Sequence, residues 1–299
     1  MKLSLQSLLY GTDRGWRSMY SPCSLSSCRN TLFMRSVQTR VGIGVGQLWY
    51  CGPDCFAAAA RIKFASLAGT SVLEAPHIPR RSIGLVMLSK GYLTGDLLRL
   101  AVAESQARGE EVEVTLIRLG LASERQLAVA RAAQWGYPLL GPDRIGQPVE
   151  TDIPATLLNA CDAVPVHYAI AAKRLVLGFV RRVDPSLLQA VETITGYRAE
   201  PCFITSSELE EQKQRLTAAA NCEELVFDDL KTPAEMGKMA AGFAVEIGAR
   251  EAHFAQCREY AWARLSGKRR NIDLLFRFRS VLEAENEGLL RSPRKAPIL

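Results

Sequence analysis

The 299-residue chain has no run of 18 consecutive apolar residues, and its longest candidate, 163–180, is interrupted by His167, Lys173 and Arg174. A transmembrane span is not expected on that pattern. The apolar run at the front is too short before Asp13 and Arg14 to read as a secretory leader. The glycines of Gly42-Ile43-Gly44-Val45-Gly46-Gln47 lack the Gly-Lys-Ser/Thr ending of a phosphate loop, and no other segment supplies it. These residues therefore contain no recognisable ATPase. Histidine is scarce: His77, His167 and His253 stand apart from carboxylates and cysteines in sequence. His167 reads as a core or rim residue of a strand. No Ser-His-Asp, Cys-His or His-Glu-x-x-His set presents itself, so the chain reads as non-enzymatic.

What is present is an ordinary globular composition, 48% hydrophobic and 23% charged, long enough for several domains. The net charge of +6 is unevenly spread. Residues 1–81 alone carry +7, leaving the remainder near neutral. A Ser- and Arg-rich stretch at 1–40 also admits a targeting peptide, and translation from Met19 is a further option.

Four of the eight cysteines form two close pairs, Cys23/Cys28 and Cys51/Cys55, while the other four are scattered singly. Two such pairs on two turns can set four thiolates around one tetrahedral zinc ion, a closed structural site with no position left for water. The alternatives are two disulfides or four unrelated thiols, and disulfides are disfavoured without a secretory leader. Residues 29–38 and 48–50 read as short strands, the three glycines as a loop, and Cys55-Phe56 as the opening of a helix. Trp49-Tyr50-Cys51 and Cys55-Phe56 resemble the TRASH/MYM type of treble-clef-like zinc knuckle, which implies one zinc held by Cys23, Cys28, Cys51 and Cys55. The four-residue spacer of the first pair departs from that type.

Residues 83–106 and 112–134 repeat one frame: an apolar pair, two spacers, a glycine (Gly91, Gly120), a Ser/Thr cap (Thr94, Ser123), then a helix. Ser123 with Gln126 makes a capping box. The glycines suit the left-handed position that ends a helix. Leu98, Ala101 and Val102, then Leu127, Ala130 and Ala133, mark apolar faces at helical spacing. Gly136-Tyr137-Pro138 closes the repeat. Downstream, Val164-Pro165-Val166 and 174–180 read as strands around a Lys-Arg turn, Asp184-Pro185 as a helix start stopped at Gly196, and 198–205 as a strand before a final helix to about Leu216.

These landmarks resemble the N-terminal domain of the type II secretion and type IV pilus assembly ATPases, the GspE N-terminal or MshEN family. The resemblance covers roughly 140 residues and implies a helical tandem repeat followed by an α/β half. In the MshEN branch it further implies cyclic di-GMP binding, with an arginine at the head of each copy. In this chain those positions are Ser82 and Glu111, the second motif's glycine is Glu113, and a usual glutamine is Ser105. A carboxylate facing a dianion is repulsive. Arg80 and Arg81 read as a solvated linker that stands near the lost arginine. The degenerate ligand set carried over from the family is Arg81, Ile83, Gly84, Leu88, Gly91, Leu98, Gly120, Leu127 and Gln134.

In the last segment, Thr232-Pro233-Ala234-Glu235 opens a helix with Met236, Met239, Ala240, Phe243 and Ile247 on one face. Residues 252–265 and 271–278 read as a hairpin whose second strand turns Ile272, Leu274, Phe276 and Phe278 to one side and Asp273 to the other. The Lys268-Arg269-Arg270 turn carries charge that a nucleic acid would accept, although such turns are more often only solvated.

The expected fold is therefore α+β and multidomain. Its modules are a basic region 1–75 with a knuckle at about 20–65, a helical half 76–145, an α/β half 146–220, an α-β-β module 221–285 and a disordered tail 286–299. The expected function is a cytoplasmic adaptor that docks to a protein partner, by family analogy one of the secretion or pilus machinery. The alternatives are a cyclic di-GMP receptor and a zinc-dependent nucleic-acid binder.

Overall fold

The computed structural model describes residues 23–28, 42–69, 80–141, 145, 152–218, 223–229 and 232–278. The expected strand at 29–38, the tail 286–299, the possible start sites, His77 and Cys222 lie outside them. The chain divides into two compact units, one made of residues 1–72 with 223–299 and the other of residues 73–222.

The first unit is discontinuous in sequence. Strands β1 (Ile43–Val45) and β2 (Leu48–Tyr50) form a hairpin whose turn is made by Gly46 at φ +61°. Helix α1 (Pro53–Gly69) follows, with proline at its first position and Phe56, Ala59, Ala60 and Phe64 buried on one face. The unit resumes with β6 (Glu223–Phe227), α9 (Pro233–Glu246), β7 (Glu251–Cys257), β8 (Tyr260–Ser266) and β9 (Asn271–Arg277). All six strands share one sheet, ordered β2-β1-β7-β8-β9-β6. Strand β1 lies parallel to β7, with Gly44 opposite Glu251 and Val45 opposite Ala252. Regions that the sequence assigns to separate modules, 1–75 and 221–285, thus share a sheet and a core.

Helices α1 and α9 pack on one face of that sheet, in the core that contains Phe56, Phe64, Met236, Ala240, Ile272, Leu274 and Phe276. Gly237 makes their close approach possible: a Cβ there would lie 2.7 Å from the Ala57 carbonyl oxygen and 2.9 Å from the Arg61 nitrogen. Phe64 meets Phe254 and Phe276 edge-on at 5.2 and 5.0 Å between centroids.

Three expectations for this unit are corrected. The segment 252–265 is not one strand but two, because the chain reverses at Arg258, which takes φ +50°. A turn made by arginine and glutamate carries none of the Gly, Asn or Pro signals that announce a hairpin. The presumed polar side of β9 is also buried. Asp273 is fully covered and accepts hydrogen bonds from Arg264 Nε (2.8 Å), Arg264 Nη2 (2.7 Å) and Trp262 Nε1 (2.7 Å). The loop expected at Gly42, Gly44 and Gly46 is a strand in its middle, and only Gly46 turns.

The second unit is continuous. Its helical half contains α2 (Ile83–Ser89), α3 (Gly95–Arg108), α4 (Val112–Arg118) and α5 (Glu124–Trp135). The repeat is reproduced in the backbone. Gly91 and Gly120 stand at φ +71° and +66°. In both copies the residue after glycine reaches back to close the helix, Tyr92 N–H to the Met87 carbonyl at 3.0 Å and Leu121 N–H to the Leu116 carbonyl at 2.9 Å. Thr94 and Ser123 cap the following helices, Ser123 in a reciprocal box with Gln126. Met87, Ala101, Leu116 and Ala130 fill the core between them. Ala133, expected on that face, is exposed; its neighbour Ala132 is buried instead.

The α/β half contains α6 (Ala155–Ala160), β3 (Ala163–Ala169), β4 (Arg174–Phe179), α7 (Pro185–Thr195), β5 (Arg198–Phe203) and α8 (Ser206–Ala218), with sheet order β3-β4-β5. Asp184 caps α7 and Gly196 ends it at φ +70°. The β3–β4 turn runs through Ile170 to Lys173, so Arg174 is already in the strand. His167 sits at an irregularity of β3 and is exposed, a rim position. The segment after Gly136 joins the two halves. Leu140 N–H donates to the Phe203 carbonyl (2.9 Å), and Phe203 N–H donates to the Pro138 carbonyl (2.8 Å).

Candidate functional site

Among the described residues, two places concentrate chemistry-bearing side chains, one in each unit. In the first unit, Cys23 and Cys28 lie on a turn closed by the Cys28 N–H donating to the Leu25 carbonyl at 3.0 Å. That turn is tied to β2: Ser24 N–H donates to the Trp49 carbonyl (2.8 Å), and Trp49 N–H donates to Ser24 Oγ (3.0 Å). Cys51 follows β2 directly and Cys55 lies in the first turn of α1. Gly42 leaves the room that the Trp49 indole fills, since a Cβ there would sit 2.1 Å from the ring.

All four sulfurs lie within 4.8 Å of one another. Cys28 Sγ and Cys51 Sγ are 3.6 Å apart, and Cys51 Sγ and Cys55 Sγ are 3.7 Å apart. A disulfide would bring two sulfurs to about 2.05 Å. A tetrahedron of sulfurs around a metal at about 2.3 Å has an edge of about 3.8 Å, and the observed spacing is close to that. None of the four is in a disulfide, and together they can hold a metal ion. Burial, then hydrogen bonds with the Cys28, Cys51 and Cys23 sulfurs, push the Cys55 thiol well above its ordinary value. A dication at the centre reverses that preference and releases protons on binding.

In the second unit, a cavity of about 310 Å³ opens between α4, α5, the end of β4 and the start of α8. Leu127, Ala128, Val180 and Ile204 give it an apolar lining, and Val114 and Ile117 stand partly exposed at its wall. Its charged groups are paired. Arg181 Nη1 lies 3.2 and 3.3 Å from the two Glu111 carboxylate oxygens. Arg131 pairs with Glu113 and donates to the Arg181 carbonyl. Burial first, and the Arg181 charge second, lower the Arg131 guanidinium to about 10, against the opposing effect of Glu111. Glu124 Oε2 accepts from the Ser207 N–H (3.1 Å) and hydroxyl (2.6 Å) at the start of α8.

The nine positions carried over for a cyclic dinucleotide do not gather in that cavity; Leu127 alone lines it. Gly91 and Gly120 are helix ends. Gly84 and Leu98 meet each other, a Cβ on Gly84 falling 2.7 Å from Leu98 Cδ1. Ile83 is buried, and Leu88 packs against the same helical core. Gln134 Nε2 donates to the Arg81 carbonyl at 2.5 Å, and the Arg80 guanidinium lies 3.4 Å from the centroid of the Trp135 ring. The Arg80 guanidinium is therefore engaged with the end of α5 rather than only solvated, and Arg81 is held there through its backbone carbonyl. The Arg131–Glu113 and Arg181–Glu111 pairs were not foreseen. Glu111 and Glu113 stood out as departures from the repeat, but Arg181 lies 70 residues from Glu111 with no local pattern to link them.

No family model matches the chain. The type IV pilus assembly ATPase PilB of Thermus thermophilus is 29% identical over 129 residues, which are 42% of this chain and 14% of that protein. The chain thus matches about one seventh of its curated relative. Among solved structures, the N-terminal domain of XpsE is 28% identical, covering 44% of this chain and 92% of that one at a TM-score of 0.34. A structure of MshE with cdg is 21% identical, covering 46% and 99% at a TM-score of 0.35. With its two capped repeats, glycine helix ends and following α/β half, and with that shared stretch of PilB, this chain resembles the N-terminal domain of the secretion and pilus assembly ATPases.

Proposed function

We propose that this protein is a non-catalytic adaptor whose second unit docks to a protein of secretion or pilus assembly machinery, and whose first unit is held by one structural zinc ion. The observation that carries the reading is the extent of the likeness to PilB: a 129-residue stretch, 14% of that ATPase, in a chain without a phosphate loop. The zinc is supported by the thiol quartet, since four sulfurs at tetrahedral spacing leave no open position for catalysis. The test is co-expression of the full chain with the pilus and secretion assembly proteins of its own genome, followed by purification and cross-linking. A stoichiometric complex cross-linked through residues 73–222 is expected. If none of those proteins co-purifies, docking to that machinery is wrong. Metal analysis of chelator-free protein should find about one zinc per chain.

A cyclic di-GMP receptor is the second reading, favoured by the repeat itself and opposed by the pairing of Glu111 and Glu113 with the nearest guanidiniums. Calorimetric titration of the full chain with cyclic di-GMP separates the two. Micromolar binding would make it a receptor, and no heat at high ligand concentration would leave the fold to docking.

A further inference from the structure

The cavity of the second unit is built like an anion site that already contains its anions. Two guanidiniums, Arg131 and Arg181, converge on one wall, the second linked to the first through its own carbonyl. The start of the 13-residue helix α8 forms another wall. Guanidinium forks and helix N-termini are the groups that proteins turn toward phosphate. Here each of them meets a carboxylate of the same chain. Glu113 pairs with Arg131, Glu111 with Arg181, and Glu124 with the Ser207 amide and hydroxyl.

The arrangement also crosses the unit. Glu111, Glu113, Glu124 and Arg131 belong to the helical half, whereas Arg181 and Ser207 belong to the α/β half. Three of the contacts therefore span the cavity: Glu111 to Arg181, Arg131 to the Arg181 carbonyl, and Glu124 to Ser207. The Glu113–Arg131 pair is the most covered, at 22% and 12% side-chain exposure, while Glu111 and Arg181 are about 60% and 56% exposed. An entering anion would have to displace Glu113 from a partly desolvated pair or sit beside it, where like charges repel most strongly.

We infer that Glu111, Glu113 and Glu124 act as a built-in anion, which fastens the helical half to the α/β half across the cavity and closes the cavity to phosphate-bearing ligands. The closure is thereby independent of any ligand. This goes beyond docking and stands whether or not a protein partner is identified.

The test compares the full-length protein with E111Q/E113Q, using inorganic phosphate as the probe at constant ionic strength. Calorimetry and thermal unfolding are the readouts. The unsubstituted protein should neither bind phosphate nor gain stability from it. The double variant should unfold at lower temperature, bind phosphate measurably, and regain part of its Tm when phosphate is added. Adding R181A to the double variant should remove that binding. The inference is overturned if the unsubstituted protein binds phosphate and loses it on R181A. It is equally overturned if the double variant is indifferent to phosphate. Should the double variant fail to fold, E113Q alone decides, because Glu113 is the carboxylate that an entering anion must displace or sit beside: phosphate binding that is absent from the unsubstituted protein supports the built-in anion, and no binding refutes it.

Discussion

The two units are of comparable size and solve the problem of closing a core in opposite ways. Residues 73–222 form a continuous unit whose elements announce themselves locally through caps, glycine stops and a repeated frame. The other unit brings together segments separated by that entire stretch, and its sheet is completed by pairing β1 with β7 over only two residue pairs. At its N-terminal end, among the described residues, the thiol quartet gathers the turn at 23–28, the end of β2 and the start of α1. A continuous chain can rely on many small local preferences, whereas a discontinuous one needs a strong clamp at its loose end.

That contrast is broken or sharpened most forcefully at the proposed metal site. A strong chelator, or C51S, should abolish hydrogen-exchange protection in β1, β2 and the start of α1, leaving α2–α5 protected. Structural zinc sites contribute on the order of 10 kcal/mol, so a first unit unaffected by chelation would end the argument. The next largest effect belongs to the buried ion pair. R264M should cost roughly 3–5 kcal/mol in urea unfolding, because Asp273 would be left buried without its guanidinium. R264M/D273L should recover most of the loss, and a double variant as weak as the single one would show that packing rather than charge is at stake.

A pair of glycines then compares the units directly. At Gly237 a methyl group would meet backbone atoms of α1, so G237A should cost about 1–3 kcal/mol. At Gly84 the methyl would meet only the movable tip of Leu98, and up to about 1 kcal/mol of helix propensity opposes the crowding. G84A should therefore be near neutral; equal losses at the two sites would contradict the distinction. The smallest expected effect is at the caps. S123A should lower the stability of the second unit by about 1 kcal/mol, and T94A by a similar amount, with no change in the metal content of the first.

Legibility in the sequence follows the same division. The capping box at Ser123, the turns at Gly91 and Gly120, and the Asp184-Pro185 helix start are written within four or five residues of where they act, and each is found in place. The cysteine quartet was legible because cysteine pairs are rare enough to be read across a gap. The shared sheet was not, because nothing in Ile43-Gly44-Val45 names Glu251 and Ala252 as its partners. Buried Asp273 misled for a related reason: alternation assigns a charged residue to solvent, and only Arg264 and Trp262 on the neighbouring strand explain its burial. The cavity lay hidden likewise, since Glu111 and Arg181 come together through the fold alone.

The insertion of one unit within the other has a consequence in time. On the ribosome, β1 emerges roughly 200 residues before β7, the strand it must pair with. At about 5–20 residues per second the wait is on the order of ten to forty seconds. Through that interval the second unit is synthesised whole and can fold, while β1, β2, α1 and the four cysteines of the first unit, among its described residues, wait for the rest of their sheet. Early capture of a metal ion would preserve those thiols from oxidation and keep the hairpin in shape until its sheet arrives. If the quartet binds a metal ion as proposed, the order of synthesis would give it a task during the birth of the chain that precedes any task in the finished protein.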